Sequence, residues 1–192
     1  MLRVYLLAGL LFHKAVWEIL KRRHPSGEGP KRQTLKTRLI SAAKVIILAG
    51  LVVQAFLPDF LPVAKDPAGL RVVGLVLYTL GLLLAVTARI QLGMNWSDIE
   101  KSRVVEGHQL VARGLYRYVR HPIYTGDLML LAGFELALNS WAVAGVAAVA
   151  LYVRRQAIVE ERGLLASLSG YDRYCRETSR YLPLWRTKHS LR

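Results

Sequence analysis

Between Val72 and Leu92 the chain runs about twenty residues in which only Tyr78, Thr79, Thr87 and Arg89 interrupt an apolar stretch. A helix of that length rises about 30 Å at about 1.5 Å per residue, which matches the hydrocarbon core of a bilayer. A second run of the same kind covers about Leu39 to Phe60. Inside hydrocarbon each backbone N–H must find its partner within its own segment, so runs like these predict helices rather than open sheets. Hydrophobic residues make up 53% of the 192, and the mean hydropathy is +0.28, too apolar for a surface that meets water all round. The expectation is an all-α, polytopic membrane protein with about five transmembrane helices in one domain, residues 1–192.

The remaining spans follow in order. Met1 to Leu20 has almost no basic n-region and no small-residue cleavage site, so it reads as a retained first span. Lys14 and Glu18 are spaced to pair on one face of it, and His13 reads as a satisfied core residue. From Lys21 to Arg38 seven Lys or Arg residues face one acid, Glu28, with Pro25, Gly27, Gly29 and Pro30 against helix. Such a loop is cytoplasmic by the positive-inside rule, which puts the N-terminus outside. Lys44 and Arg89, near span ends, are expected to snorkel. Asp127 to Leu138 is too short to cross, but a helix begun at Pro122, as its first-turn proline, rises about 26 Å. Trp141 to Val159 descends again, and the polar, basic and aromatic tail lies on the cytoplasmic side. Residues 1–90 are thus the N-terminal spans, and 91–192 form a catalytic half.

The net charge of +14 lies in flanks of apolar runs and not in a continuous stripe, which fits membrane lipids and argues against nucleic acid. Cys175 stands alone, so no internal disulfide forms. The histidines are scattered and no zinc spacing, P-loop or Gly-x-Gly-x-x-Gly occurs, so no metal is expected.

Chemistry concentrates in the polar, aromatic and basic island from His108 to Gly126. Arg120-His121-Pro122, followed by Tyr124 and Gly126, opens a helix whose N-terminus favours anions, so it reads as a seat for a carboxylate or phosphate. His121, at a helix start, is expected at the surface. The competing reading is a helix start with an interfacial Tyr and an Arg on lipid phosphate, as in a non-catalytic docking protein. Glu160-Glu161 ends the last span; Arg154 and Glu161, seven residues apart, share a face and suit a pair or a cationic ligand. Glu135, eight residues after Asp127, lies within the apolar layer and reads as a hydrogen-bonded structural acid or a substrate contact.

Gly107-His108-x-Leu110-Val111-x-x-Gly114-x-Tyr116-Arg117-x-Val119-Arg120-His121-Pro122-x-Tyr124-x-Gly126, with Leu92-Gly93-x-Asn95-Trp96-Ser97 before it, resembles the isoprenylcysteine carboxyl methyltransferase and phospholipid methyltransferase group. Glu160-Glu161, Gly170-Tyr171-x-x-Tyr174 and Leu182-Pro183 follow in the matching order, so the resemblance covers about residues 91 to 185. It implies a membrane methyltransferase that binds S-adenosylmethionine on the cytoplasmic side, between the Arg-His-Pro segment and the tail. The acceptor would be a small lipophilic molecule from the bilayer: an isoprenylcysteine-like carboxylate, a phospholipid amine or another amphiphile. On the matching positions, His121, Pro122, Tyr124 and Gly126 would cradle the cofactor, with His108 and Tyr116 near it. Arg120 would join His121 at the donor's carboxylate, and Glu160 would meet its cations. Arg155 and Glu161 would be the catalytic pair beside the substrate. Tyr124 to Met129 also resembles the corresponding turn of membrane sterol reductases, which makes an NAD(P)H-dependent reductase of an unsaturated lipid the alternative.

Overall fold

The computed structural model describes residues 1–23, 35–57, 59, 61–95 and 109–183. Its helices are α1 (Leu2–Arg23), α2 (Leu35–Phe56), α3 (Ala68–Leu92), α4 (Pro122–Ala137), α5 (Val143–Ser167) and the short α6 (Tyr171–Glu177). Among the described residues there is no strand, only isolated bridges joining Pro62 to Ser140 and Val119 to Ser179. By length and composition, α2 from Arg38 and all of α3 qualify as membrane spans. The 16 residues of α4 rise only about 24 Å, short of a full crossing.

Many of the large side chains that face outward are apolar. Ile46 and Val53 on α2, Val72 and Leu83 on α3, Val4 and Leu11 on α1, and Leu151 on α5 are all exposed. Water would not tolerate that much contiguous apolar surface, and hydrocarbon does. The interior adds polar groups to a core of Leu6, Leu10, Leu51, Leu130 and Phe134. Tyr78 is fully buried and donates from its hydroxyl to the Leu6 carbonyl at 2.6 Å, tying α3 to α1. Glu135, 3% exposed, accepts from Gln54 Nε2 at 2.7 Å and so holds α4 to α2, which fits its structural reading.

α4 lies along α3 at unusually close range, and glycines make that possible. A Cβ on Gly133 would stand 2.2 Å from the Tyr78 backbone nitrogen, and one on Gly126 would stand 2.5 Å from that of Ala85. Gly74 and Gly81 on the facing helix meet Ala137 and Leu130 in the same way. Small residues at helical spacing let backbones touch, the usual basis of helix association where lipid supplies no hydrophobic drive. At the far end of α4, Asn139 adopts a left-handed φ of 58°. Its Oδ1 accepts from the Val63 and Ala64 amides at 3.1 and 2.9 Å, closing the α2–α3 connection over α4.

Several expectations change. α4 does begin at Pro122, but α5 continues to Ser167, and part of the expected tail coils into α6. Arg89 does not snorkel: it is 1% exposed and donates to the Gly93 carbonyl at 3.1 Å. Glu18 accepts from Arg22, one turn onward, at 3.0 Å. Most of the basic loop after Arg23 lies outside the described residues.

Replacing Gly133 by Val should cost about 3 kcal/mol or more, because the added atoms meet backbone and not a movable side chain. Gly145→Ala, with nothing within 4 Å of the new Cβ, should melt like the parent in detergent. Equal melting temperatures for the two variants would contradict the close helix contact.

Candidate active site

The segment before α4 and the chain after α6 are laced together. The Arg120 and His121 amides donate to the Ser179 and Arg180 carbonyls at 2.8 and 3.0 Å. Tyr174 on α6 donates to the Tyr116 carbonyl at 2.6 Å, and Thr125 Oγ1 bonds the Tyr181 carbonyl at 3.2 Å. Pro122 fits the first helical position because it has no N–H to satisfy there.

Glu161 joins these pieces. Its carboxylate accepts from Arg120 Nε at 3.0 Å, from Arg180 Nε at 3.0 Å and from Arg180 Nη2 at 2.6 Å, and it meets His121 Nε2 at 3.0 Å. Its side chain is 7% exposed. Burial pushes this carboxyl up, but the hydrogen bonds from His121, Arg180 and Arg120 outweigh it and hold the group well below the usual carboxylate range. Arg120 Nη1 also donates to the carbonyls of Cys175, at 2.7 Å, and Thr178.

Glu160, the next residue, turns the other way. Its side chain is 35% exposed, accepts from the Tyr124 hydroxyl at 2.8 Å and stands 4.0 Å from His121 Nδ1. The His121 and Tyr124 rings stack with centroids 5.3 Å apart and planes 8° from parallel. His121 therefore lies between two carboxylates, one buried and one facing open space.

That space is a cavity of about 770 Å³, a volume typical of sites for small organic ligands. Tyr116, Arg120, His121, Tyr124 and Glu160 line one end, with Tyr171 and Tyr174 of α6. Burial pushes both of those phenols up, so they stay protonated. The cavity's apolar lining includes Leu128 and Leu131 of α4 and Ala148, Val149 and Val153 of α5. His13, Lys14 and Trp17 of α1 and Lys44 of α2 line it beside Asp127, with Trp17 packed against the cluster of Tyr116 and Ile123.

The residues singled out from the sequence fall into groups. Tyr116, Arg120, His121, Tyr124 and Glu160 converge on the cavity. Pro122 and Gly126 are buried and shape α4: the first starts the helix, and the second lets it approach Ala85. Glu161 lies behind His121, outside the cavity wall. Arg155 is exposed and also outside that wall. His108 lies outside the described residues.

Three expectations need correction. Arg120 directs Nε and Nη1 at Glu161 and two carbonyls, which leaves only Nη2 for an anion. His121 is 6% exposed and not a surface residue. Glu161 pairs with the tail, while Arg154 is exposed. The cavity also draws walls from α1 and α2, beyond the C-terminal half. Arg180 escaped the sequence reading, and His13, read as a core residue, instead lines the cavity at 22% side-chain exposure; their partners, Glu161 and Asp127, lie 19 and 114 residues away, and no local spacing signals such pairs.

A family model described as phospholipid methyltransferase matches residues 70–168 of this chain. Protein-S-isoprenylcysteine O-methyltransferase B of Arabidopsis thaliana is 33% identical over 135 residues, covering 69% of this chain and 66% of that protein. Protein-S-isoprenylcysteine O-methyltransferase of Schizosaccharomyces pombe is 32% identical over 108 residues, covering 55% of this chain and 46% of that protein. The chain therefore spans about half to two thirds of the length of these two relatives. A solved structure described as the eukaryotic intramembrane Ras methyltransferase ICMT superposes with a TM-score of 0.61 at 20% identity, covering 96% of this chain and 68% of that one. At that identity the likeness is one of fold, and the fold is that of an integral membrane protein. With just over half its length inside the family model, the chain belongs to the phospholipid methyltransferase family.

Proposed function

We propose that this chain is an S-adenosylmethionine-dependent methyltransferase, held in the bilayer by its five long helices with the island and tail on the cytoplasmic side. The acceptor is a lipophilic molecule that enters from the membrane. The observation that carries this reading is Glu160, a half-buried acid aimed into a largely apolar cavity and braced by Tyr124. A ligand for that place must carry cationic charge and tolerate aromatic neighbours.

S-adenosylmethionine fits the residues present. Its sulfonium and ammonium suit Glu160 and the faces of Tyr124, Tyr171 and Tyr174. Its carboxylate suits the first-turn amides of α4 with His121 beside them, now that Arg120 Nε and Nη1 are committed elsewhere. When bound, it supplies an electrophilic methyl carbon on sulfur. The chain's own part is to align the reactants and exclude water, and the apolar α4 and α5 side chains in the cavity wall are built for that. The same apolar walls suit a prenyl or acyl chain. Arg155 would act at the rim on the acceptor's head group. The relatives named above are methyltransferases by name, which leaves the reductase reading without support.

Purified protein should melt higher with S-adenosylmethionine and S-adenosylhomocysteine and be unmoved by NADPH, since a ligand that binds only the folded form stabilises it. No shift with either adenosyl ligand would sink the proposal. Glu160→Gln should weaken S-adenosylhomocysteine binding about tenfold, about 1.4 kcal/mol, with little change in the unliganded melting temperature.

Glu161→Gln should do the reverse and cost about 3 kcal/mol of stability, because it leaves buried arginines short of a counter-charge. The native carboxyl sits below its ordinary value of 4.5, so its contribution is complete above that pH and falls away as the pH drops further. Melting of Glu161→Gln should accordingly depend less on pH in acid than the parent's; parallel curves would show that the carboxylate is not held low.

A further inference from the structure

The cavity wall one turn along α4 from Tyr124 carries a second polar pair. His13 Nε2 on α1 stands 3.0 Å from Asp127 Oδ1 on α4, and the imidazole stacks on Trp17 with centroids 4.0 Å apart. Asp127 follows Tyr124 by three residues, so both face the same cavity, one turn apart. The pair is neither sealed nor free in solvent, with side-chain exposures of 22% for His13 and 42% for Asp127. In the neutral imidazole, a carboxylate partner that only accepts places the proton on Nε2 and leaves the lone pair on Nδ1. Among the described residues Nδ1 makes no hydrogen bond. The other charged or titratable groups lining the same cavity are Lys14 from α1, Lys44 from α2, Arg120 and His121 before α4 and Glu160 from α5, with the phenols of Tyr116, Tyr124, Tyr152, Tyr171 and Tyr174.

A buried cross-link between two helices would have no reason to open onto a ligand space, and a carboxylate acceptor would have no use for a base. Carboxylates are ionised at neutral pH and can attack directly. An ammonium acceptor is disfavoured beside two lysines, whereas an acceptor that becomes anionic as it loses a proton is favoured there. We propose, resting on the methyltransferase reading above, that His13, oriented by Asp127, is the catalytic base for a lipophilic acceptor bearing a weakly acidic O–H or S–H, a long-chain phenol or thiol. The acceptor's proton passes to His13 Nδ1 while a lone pair of its oxygen or sulfur forms the bond to the methyl carbon. The carbon–sulfur pair of the donor stays on the donor sulfur, which leaves as a neutral thioether, and Asp127 balances the imidazolium.

The test uses the full chain in detergent with a long-chain alkylphenol, its ring-nitrated analogue that is already ionised at the assay pH, and a prenylcysteine carboxylate. Wild type should methylate the alkylphenol, and His13→Gln should lose about 100-fold of that rate, within the usual range for general-base catalysis. The same variant should keep the parent's rate on the ionised analogue and the parent's melting shift with S-adenosylhomocysteine. Asp127→Asn should lose about tenfold on the alkylphenol alone. A second readout needs no turnover: at a pH where the nitrated phenol is protonated in solution, wild type loaded with S-adenosylhomocysteine should raise its phenolate absorbance, and His13→Gln should not. Equal losses on ionised and protonated acceptors would overturn the proposal in favour of a structural cross-link. So would methylation of the carboxylate only, or an unchanged phenolate band, while an intact S-adenosylhomocysteine shift would keep the methyltransferase reading standing. No such shift in wild type would remove both.

Discussion

One buried carboxylate decides whether this active site exists. Glu161 accepts hydrogen bonds from side chains on the segment before α4 and on the tail, while itself belonging to α5. Without it the Arg120 and Arg180 guanidiniums would face one another across the same small space. Burying charges of this kind costs several kcal/mol per ion, and the attraction recovers that only when the geometry is good. Its value is therefore specificity more than net stability: only one arrangement of three distant segments satisfies every donor. The paired acids Glu160 and Glu161 divide the work, the second fixing the imidazole of His121 from behind and the first presenting charge in front.

The two faces of α4 are built to opposite rules. Toward α3 the residues are small and the backbones touch, which leaves the pair little freedom to slide. Away from α3 its side chains, together with those of α1, α2 and α5, line the cavity. A rigid wall on one side lets Tyr124 and Asp127, on the open side, hold fixed positions one turn apart. The Glu160–Tyr124 and His13–Asp127 pairs therefore keep a constant separation set by helix pitch.

How far the sequence revealed this depends on the range of the interaction. α2 and α3 were legible because twenty apolar residues have few other destinations, and the start of α4 was legible because proline belongs at a first helical turn. The island and the paired acids were located by composition and by resemblance. Their division of labour was not, because Arg120 looks available until Glu161, 41 residues onward, is seen to hold it. Gly126 matched a cofactor-cradle position, yet packing against Ala85 accounts for its lack of a side chain. The contribution of α1 was hidden for the same reason: nothing local to His13 marks a partner on the fourth helix.

The shortness of α4 has a consequence for traffic. A helix of about 24 Å that reaches the far surface leaves its other end about 6 Å inside the hydrocarbon boundary. Under the proposed function, reactants from two phases could then meet without either crossing into the other's solvent: a water-soluble donor would descend a few ångströms, and a lipid-soluble acceptor would approach sideways. Methylation trades an ionisable group for a methyl, and each added carbon favours hydrocarbon by about 0.8 kcal/mol. The product is thus more at home in the bilayer than the substrate was, and partitioning itself supplies the direction of release.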